Sequence, residues 1–177
     1  LSGSQLIPYW RARFERLIGA LSGMEPKARL LWYGPKLSVR SFATARMMET
    51  WAHGHDIYRC VGERRPASDR IKNIAHLGAS TFGWTFINRN LPVPEPAPYI
   101  ELQAPSGDQW IWNDPPSEQN YLRGSAEEFC FVVTQRRNVA DTRLKYAGSA
   151  AAWLPIAQCY AGPPEDAPAP GVRAVRY

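Results

Sequence analysis

The strongest helical pattern in the chain covers residues 38–60, where apolar side chains recur at intervals of three and four. At about 100° per residue, one face of the predicted helix combines apolar side chains with the polar Glu49, His53 and Asp56. The opposite face is also apolar. A helix that is apolar on two sides is expected to lie centrally in a bundle, so Glu49 and His53 are predicted to point into it.

Glu49 and His53 are four residues apart, which places them one above the other on this helix. A buried carboxylate and a buried imidazole are costly unless each has a partner. Two explanations remain open from spacing alone. The pair could form a simple Glu–His hydrogen bond at an edge of the bundle, or it could supply two ligands to a divalent metal ion held between helices.

Two further helices are predicted in the first half of the chain. Residues 8–21 form a one-sided amphipathic pattern, and a third pattern runs from Ser68, a suitable N-cap, to about Arg89. His76 lies beside the apolar stripe of this third helix. It is predicted to be a hydrogen-bonded structural histidine, with a supporting role at a metal or substrate site as the alternative.

The second half of the chain begins after LPVPEPAP, residues 91–98, whose four prolines exclude a helix or a central strand. From there the pattern predicts strands followed by helices, and hence an α+β fold. The predicted strands cover residues 99–102, 110–112, 121–124 and 143–146, and the helices 125–137 and 149–160. The predicted organisation is a helical bundle over 1–90, a linker over 91–98, a small α+β domain over 99–162 and a Pro-rich tail over 163–177.

Composition narrows the class of protein. The chain of 177 residues is 45% apolar and carries a formal charge of +5, with its basic residues scattered rather than clustered, so we expect no nucleic-acid partner. No run approaches the roughly 20 apolar residues that span a bilayer, so we expect no membrane partner. The three cysteines are isolated, which favours a reduced, cytoplasmic setting. Phosphate-binding and dinucleotide-binding glycine motifs are absent.

The stretch WYGPKLSVRSFATARMMETWAHGHDI resembles the fourth-helix region of the DinB/YfiT-like metal-binding bundles, in the branch related to mycothiol-dependent maleylpyruvate isomerase. The resemblance implies a metal ion held by a histidine from an early helix and by two ligands four residues apart on this helix. Histidine and glutamate ligands suit late first-row ions, so zinc or nickel is expected. Glu49 and His53 match that pair. The early histidine has no counterpart before residue 32, so we expect it, with the first two bundle helices, upstream of residue 1.

The second half carries a resemblance of its own, in IELQAPSGDQWIWND, GSAEEFCFVVTQRR and LKYAGSAAAWLPIAQCYAGPP. These stretches resemble the sterol-carrier-like α/β domain that follows the bundle in maleylpyruvate isomerase-like proteins. The resemblance implies that an arginine at the end of this domain's first helix faces the metal pocket, a position that Arg136 or Arg137 fits. Residue pattern alone also allows a solvated helix C-terminus that the helix dipole favours.

Two functions are therefore expected as alternatives. The first is a metal- and thiol-dependent isomerase or transferase, with mycothiol as cosubstrate and with Arg136 or Arg137 holding a small anionic substrate. The second is a non-catalytic metal- or ligand-binding protein of the same fold. The two halves are expected to pack together, because an open metal site needs a wall that excludes water. The sequence assigns no substrate identity and no oligomeric state.

Overall fold

The structure is a computed structural model that describes residues 2–32 and 36–173. Helices and strands follow one another in runs rather than in strict alternation, which fits the predicted α+β class. The helices are α1 (Gly3–Ser22), α2 (Val39–Cys60), α3 (Lys72–Ser80), α4 (Phe82–Asn88), α5 (Ala126–Val133) and α6 (Ser149–Trp153). The strands are β1 (Arg29–Leu30), β2 (Leu37–Ser38), β3 (Tyr99–Gln103), β4 (Gln109–Trp112), β5 (Tyr121–Ser125) and β6 (Lys145–Ala147).

The chain divides into two compact units, residues 1–43 and 44–177. In the first unit, Ser2 caps the N-terminus of α1, and its backbone N–H donates to the Gln5 side chain at 3.0 Å in a capping box. Strands β1 and β2 pair antiparallel within the same unit. The predicted division into four segments stays a prediction, and residues 174–177 of the predicted tail lie outside the described ones.

The second unit contains a four-stranded sheet in the order β4-β3-β5-β6. The predicted hairpin of β3 and β4 is confirmed as an antiparallel pair, whereas β3 and β5 run parallel. One face of the sheet is apolar, and Ile100, Leu102 and Leu122 on it are fully buried. None of the described helices is both long and apolar enough to cross a membrane.

The residues on either side of the Pro-rich segment share one core. Trp153 of α6 is fully buried, with its ring 5.2 Å from that of Phe82 on α4 and 5.7 Å from that of Phe129 on α5. Its indole Nε1 donates to Thr85 Oγ1 at 3.3 Å. The segment 91–98 therefore does not separate two cores, which agrees with the expectation that the flanking parts pack together.

Helices α3 and α5 approach closely at Gly78. A Cβ atom at this position would lie 2.9 Å from Cγ2 of Val133 and 3.1 Å from the ring of Phe129. Because real Cβ atoms do not tolerate such contacts, glycine is what allows α3 to lie against the α5 side chains. This contact holds α5, and with it the residues that follow α5, in place.

The third predicted helix is interrupted. A single helix to about Arg89 was expected, but α3 ends at Ser80 and α4 begins at Phe82. The Thr81 hydroxyl donates to the carbonyl groups of Leu77 and Gly78, at 2.9 and 3.0 Å. A threonine side chain that competes for helix carbonyl groups bends or ends a helix, which accounts for the break.

The last predicted helix is also shorter than expected. It was predicted to run from Ser149 to about Tyr160, but α6 ends at Trp153 and a 3-10 turn, Leu154–Ile156, follows it. Pro155 has no backbone N–H to donate, so a regular helix does not continue through this turn.

Candidate metal and anion site

The predicted burial of Glu49 and His53 is wrong. The buried side of α2 follows Ala45, Met48 and Ala52, whereas the His53 side chain is 66% exposed and that of Glu49 31% exposed. Apolar periodicity indicated two apolar faces on this helix, and only tertiary packing selects which of them lies inside. His53 therefore lies at the surface, and Glu49 beside it is partly buried.

His53 lies between two carboxylates on the exposed side of α2. Its Nε2 is 3.4 Å from Oε2 of Glu49, and its Nδ1 is 3.8 Å from Oδ2 of Asp56. Because the carboxylates approach opposite nitrogens of the ring, they do not converge on one point. Glu49 and Nε2 can share a metal ion, while Asp56 occupies the position of a carboxylate that orients the ring from behind.

Two side chains do not complete a metal site. Within residues 2–32 and 36–173, no group of three or more His, Cys, Asp and Glu side chains is arranged to hold a metal ion. Structural zinc is usually held by four protein ligands and catalytic zinc by three. Glu49 and His53 thus fit part of a metal site, and a third ligand would have to come from beyond the described residues.

The end of α5 determines where Arg136 and Arg137 point. The helix ends at Val133 rather than at Arg137 as predicted, because Gln135 adopts a left-handed conformation with φ of 55°. The backbone N–H groups of both arginines then donate to the carbonyl oxygen of Phe131, at 2.8 and 3.2 Å. This cap fixes the start of the loop that carries the two side chains.

Arg136 reaches α2. Its Nε donates to the carbonyl oxygen of Ala52 at 3.2 Å and lies 3.4 Å from Oδ2 of Asp56, and its Nη2 is 3.3 Å from Nδ1 of His53. A guanidinium only donates hydrogen bonds, so Nδ1 accepts in this arrangement and the ring proton is on Nε2, facing Glu49. The structure thus brings Arg136, which is 83 residues away in sequence, to the predicted metal pair.

Arg137 makes different contacts from its neighbour. Its guanidinium lies over the Phe131 ring, 4.4 Å from the centroid, and borders a cavity together with Arg64 and Glu127. Of the two arginines that the sequence left as alternatives, only Arg136 contacts the pair formed by Glu49 and His53 in the described structure.

The tail after residue 162 adds a second arginine to this cluster. Nη1 of Arg173 lies 3.4 Å from Oδ1 of Asp56. The preceding residues are held to the same unit: the Gly171 N–H donates to the carboxylate of Asp141, and Arg59 Nη2 donates to the Val172 carbonyl oxygen at 2.6 Å. The described part of the tail is therefore extended and packed on the surface.

The other two histidines belong to different environments. His55 is buried, with its ring 4.4 Å from Trp51 and 4.7 Å from Phe131. Burial and then the positive charges of Arg65 and Arg137 lower the pKa of His55 to about 4, so its ring is neutral at pH 7. His76 is exposed and accepts a hydrogen bond from the Trp112 indole at 3.1 Å, as expected of a structural histidine.

Sequence reasoning did not assign a role to Asp56 or Arg173. The signal for Asp56 was its position three residues after His53, which places it on the same helix face. No local signal identifies Arg173, because the contact with Asp56 joins residues 117 positions apart. The resulting cluster contains two carboxylates, one imidazole and two guanidinium groups.

Part of this cluster lies in a segment that matches a known protein family. Residues 1–58 match the family model of the mycothiol maleylpyruvate isomerase N-terminal domain. The match includes Glu49, His53 and Asp56, and it ends before Arg136. At this coarse level the N-terminal part of the chain is similar to mycothiol-related proteins of the DinB-like type.

Two relatives match nearly the whole chain. Both are uncharacterized proteins of Mycobacterium tuberculosis, from two strains, and each is 44% identical to this chain over 165 residues. The alignment covers 93% of this chain and 64% of each relative, so the chain spans less than two thirds of the length of the proteins it matches. No solved structure matches the chain.

Proposed function

We propose that this chain is the metal- and anion-binding part of a protein of the mycothiol-dependent maleylpyruvate isomerase type, acting on small anionic substrates. One observation carries the proposal: Arg136, from the loop after α5, contacts His53 beside Glu49. Two potential metal ligands, Glu49 and His53, therefore lie next to a guanidinium group that can donate paired hydrogen bonds to an anion. The family match over residues 1–58, which contains the pair, supports it.

In this proposal Glu49 Oε2 and His53 Nε2 are two of the metal ligands. A bound divalent ion supplies a Lewis acid that lowers the pKa of a coordinated thiol, such as that of mycothiol, or of water. The protein's part is to present the ligands in the right protonation state. With Nε2 free to coordinate, the ring proton is on Nδ1, where Asp56 accepts it and fixes the orientation of the ring.

This tautomer also releases Arg136. A protonated Nδ1 no longer accepts from the guanidinium, so Arg136 loses its contact with His53 and retains Asp56 and the Ala52 carbonyl oxygen. The freed N–H groups of Arg136 then face the neighbourhood of the metal ligands, where a substrate carboxylate can accept them in pairs. Arg173, which also contacts Asp56, adds positive charge on the same side.

The second candidate function is a non-catalytic protein in which the same cluster ties the α5 loop and the tail to α2. The specific observation in its favour is that Asp56 already forms ion pairs with both Arg136 and Arg173. In that case the cluster is a network of surface ion pairs, each of modest energy. Substrate-dependent turnover of a thiol is the property that separates the two functions.

Replacing Arg136 with alanine is expected to weaken the binding of a small dicarboxylate such as maleate to the zinc-loaded protein. The expected loss is about 1.5–3 kcal/mol, the range for hydrogen bonds to charged groups. Isothermal titration calorimetry measures it, at a temperature well below unfolding, because the lost contact with the Ala52 carbonyl oxygen also costs some stability.

Two variants control this experiment. Arg137→Ala removes the same charge from the adjacent position and should leave maleate affinity unchanged, because Arg137 does not contact the Glu49–His53 pair. Arg136→Lys keeps the charge and loses the planar fork, so an intermediate affinity is expected. If Arg136→Ala and Arg137→Ala had equal effects on maleate, Arg136 would have no specific role in recognising the anion.

A further inference from the structure

A second site on the chain is a cavity of about 390 Å³ beside the first turn of α5. Three arginines and two glutamates line it, together with Phe131, and none of these residues belongs to the cluster around His53. Its volume lies at the lower end of the range of roughly 300–1,000 Å³ that is typical of small-molecule sites. We call it the Arg137 cavity.

Arg137 and Phe131 lie next to each other in the lining of the Arg137 cavity. The guanidinium of Arg137 is stacked on the buried Phe131 ring, which holds its planar fork in one orientation. Its Nε is buried and has no hydrogen-bond partner within the part of the chain that the structure describes. Buried donors without an acceptor are rare in native proteins, and a ligand oxygen next to this guanidinium would supply one.

The two other arginines border the cavity from exposed positions. Arg64 is 69% exposed and lies 3.9 Å from the half-buried Glu127, a separation at the outer limit of an ion pair. Arg143 lies in the loop before β6, and its backbone N–H donates to the Glu128 carboxylate at 3.1 Å. Glu128 therefore holds the backbone that carries Arg143.

The charge of the lining indicates the charge of the ligand. Three guanidinium groups and two carboxylates leave one net positive charge, which matches a monoanion better than a dianion. Burial, as the main cause, raises the pKa of Glu127, so its charged form is disfavoured and it opposes an anion less than an exposed carboxylate would. The Phe131 ring and the aliphatic parts of the arginines offer apolar contact.

We propose that the Arg137 cavity binds a small monocarboxylate with an apolar body, with the carboxylate on the fork of Arg137. The site goes beyond the proposed function and does not depend on a metal at Glu49 and His53. It also gives Arg137 a role of its own, in place of the shared role at the metal pair that the sequence allowed.

Titration calorimetry of the whole chain with benzoate tests this proposal, with acetate and inorganic phosphate as comparison ligands. We expect saturable benzoate binding that is tighter than that of acetate, which lacks the apolar body, and tighter than that of phosphate. Arg137→Ala should weaken benzoate about 10- to 100-fold, the effect of losing a hydrogen bond to a charged group. Glu127→Gln should tighten it roughly 2- to 5-fold, because it removes a like charge.

Matched variants separate this site from general charge effects. Arg70→Ala removes one positive charge from an exposed position outside the cavity, and it should leave benzoate affinity unchanged. Circular dichroism of Arg137→Ala and Arg137→Lys checks that the fold persists, and the lysine variant should bind more weakly than the native chain because it lacks the fork.

Four results would overturn the proposal. They are the absence of saturable benzoate binding, phosphate binding tighter than benzoate, equal small effects of Arg137→Ala and Arg70→Ala, and a tenfold loss in Arg136→Ala. The last result would assign benzoate to the cluster around His53 instead. Acetate binding as tight as benzoate would overturn the assignment of an apolar body.

Discussion

Replacing His53 with alanine is expected to lower the affinity for zinc by more than about 100-fold, since even the partners that only orient a ligating histidine account for 10- to 100-fold. The reason is geometric: the His53 Nε2 lies 3.4 Å from Oε2 of Glu49, in a position to share an ion with it. Competition with a zinc-binding dye measures the affinity, and elemental analysis measures the metal content of the purified protein.

Two variants make the His53 result specific. His76→Ala removes an exposed histidine that accepts a hydrogen bond from Trp112 and has no contact with Glu49, so zinc affinity should not change. Asp56→Asn keeps the shape of the carboxylate that faces Nδ1 and removes its charge, so an intermediate loss of about tenfold is expected. Zinc content that is the same in His53→Ala and in the native chain would remove His53 from the site.

Replacing Trp153 with alanine is expected to lower the free energy of unfolding by about 3–5 kcal/mol, the range for deleting a buried aromatic side chain. The Trp153 ring packs against Phe82 and Phe129, and the substitution also leaves the Thr85 hydroxyl without the indole N–H that donates to it. Urea denaturation measures the change, and Trp112→Ala serves as a control because Trp112 is only partly buried.

The shape of the unfolding curve carries additional information. If the parts before and after residues 91–98 share one core, the Trp153 variant should shift a single transition that both far-ultraviolet circular dichroism and tryptophan fluorescence report. Two separate transitions, of which only one moves, would show that the Pro-rich segment joins independently folding parts. A loss below about 1.5 kcal/mol would mean that the Trp153 contacts contribute less than deletion of a buried aromatic usually costs.

Local sequence patterns predicted which segments form helices and strands better than they predicted which side of a helix is buried. The change from a helical to an alternating period located the hairpin of β3 and β4 close to its observed position. The same reasoning failed for α2, because its two apolar faces had equal support in the sequence. Phe131 packs against the ring of His55, which is buried, whereas His53, two residues earlier, is exposed. The sequence alone does not show where Phe131 packs.

The choice between Arg136 and Arg137 could not be made from sequence. It depends on the left-handed conformation of Gln135, which ends α5 four residues before the predicted end, at Val133. A continued helix would have placed both arginines on one regular surface, about 100° apart. The contact of Arg173 with Asp56 was equally out of reach, because only the tertiary fold brings the tail to α2.

The most direct test of a metal site at Glu49 and His53 is a zinc titration of the full-length protein with nitrogen-15 in its imidazole rings, followed by NMR. Residues 1–177 contain three histidines, and of these the Nε2 signal of His53 alone is expected to shift to the range of a coordinated nitrogen, with the proton retained on Nδ1. Glu49→Gln should weaken this response. A shift of the His76 signals at the same zinc concentration, or no shift of the His53 signals at saturating zinc, would contradict a metal site at Glu49 and His53.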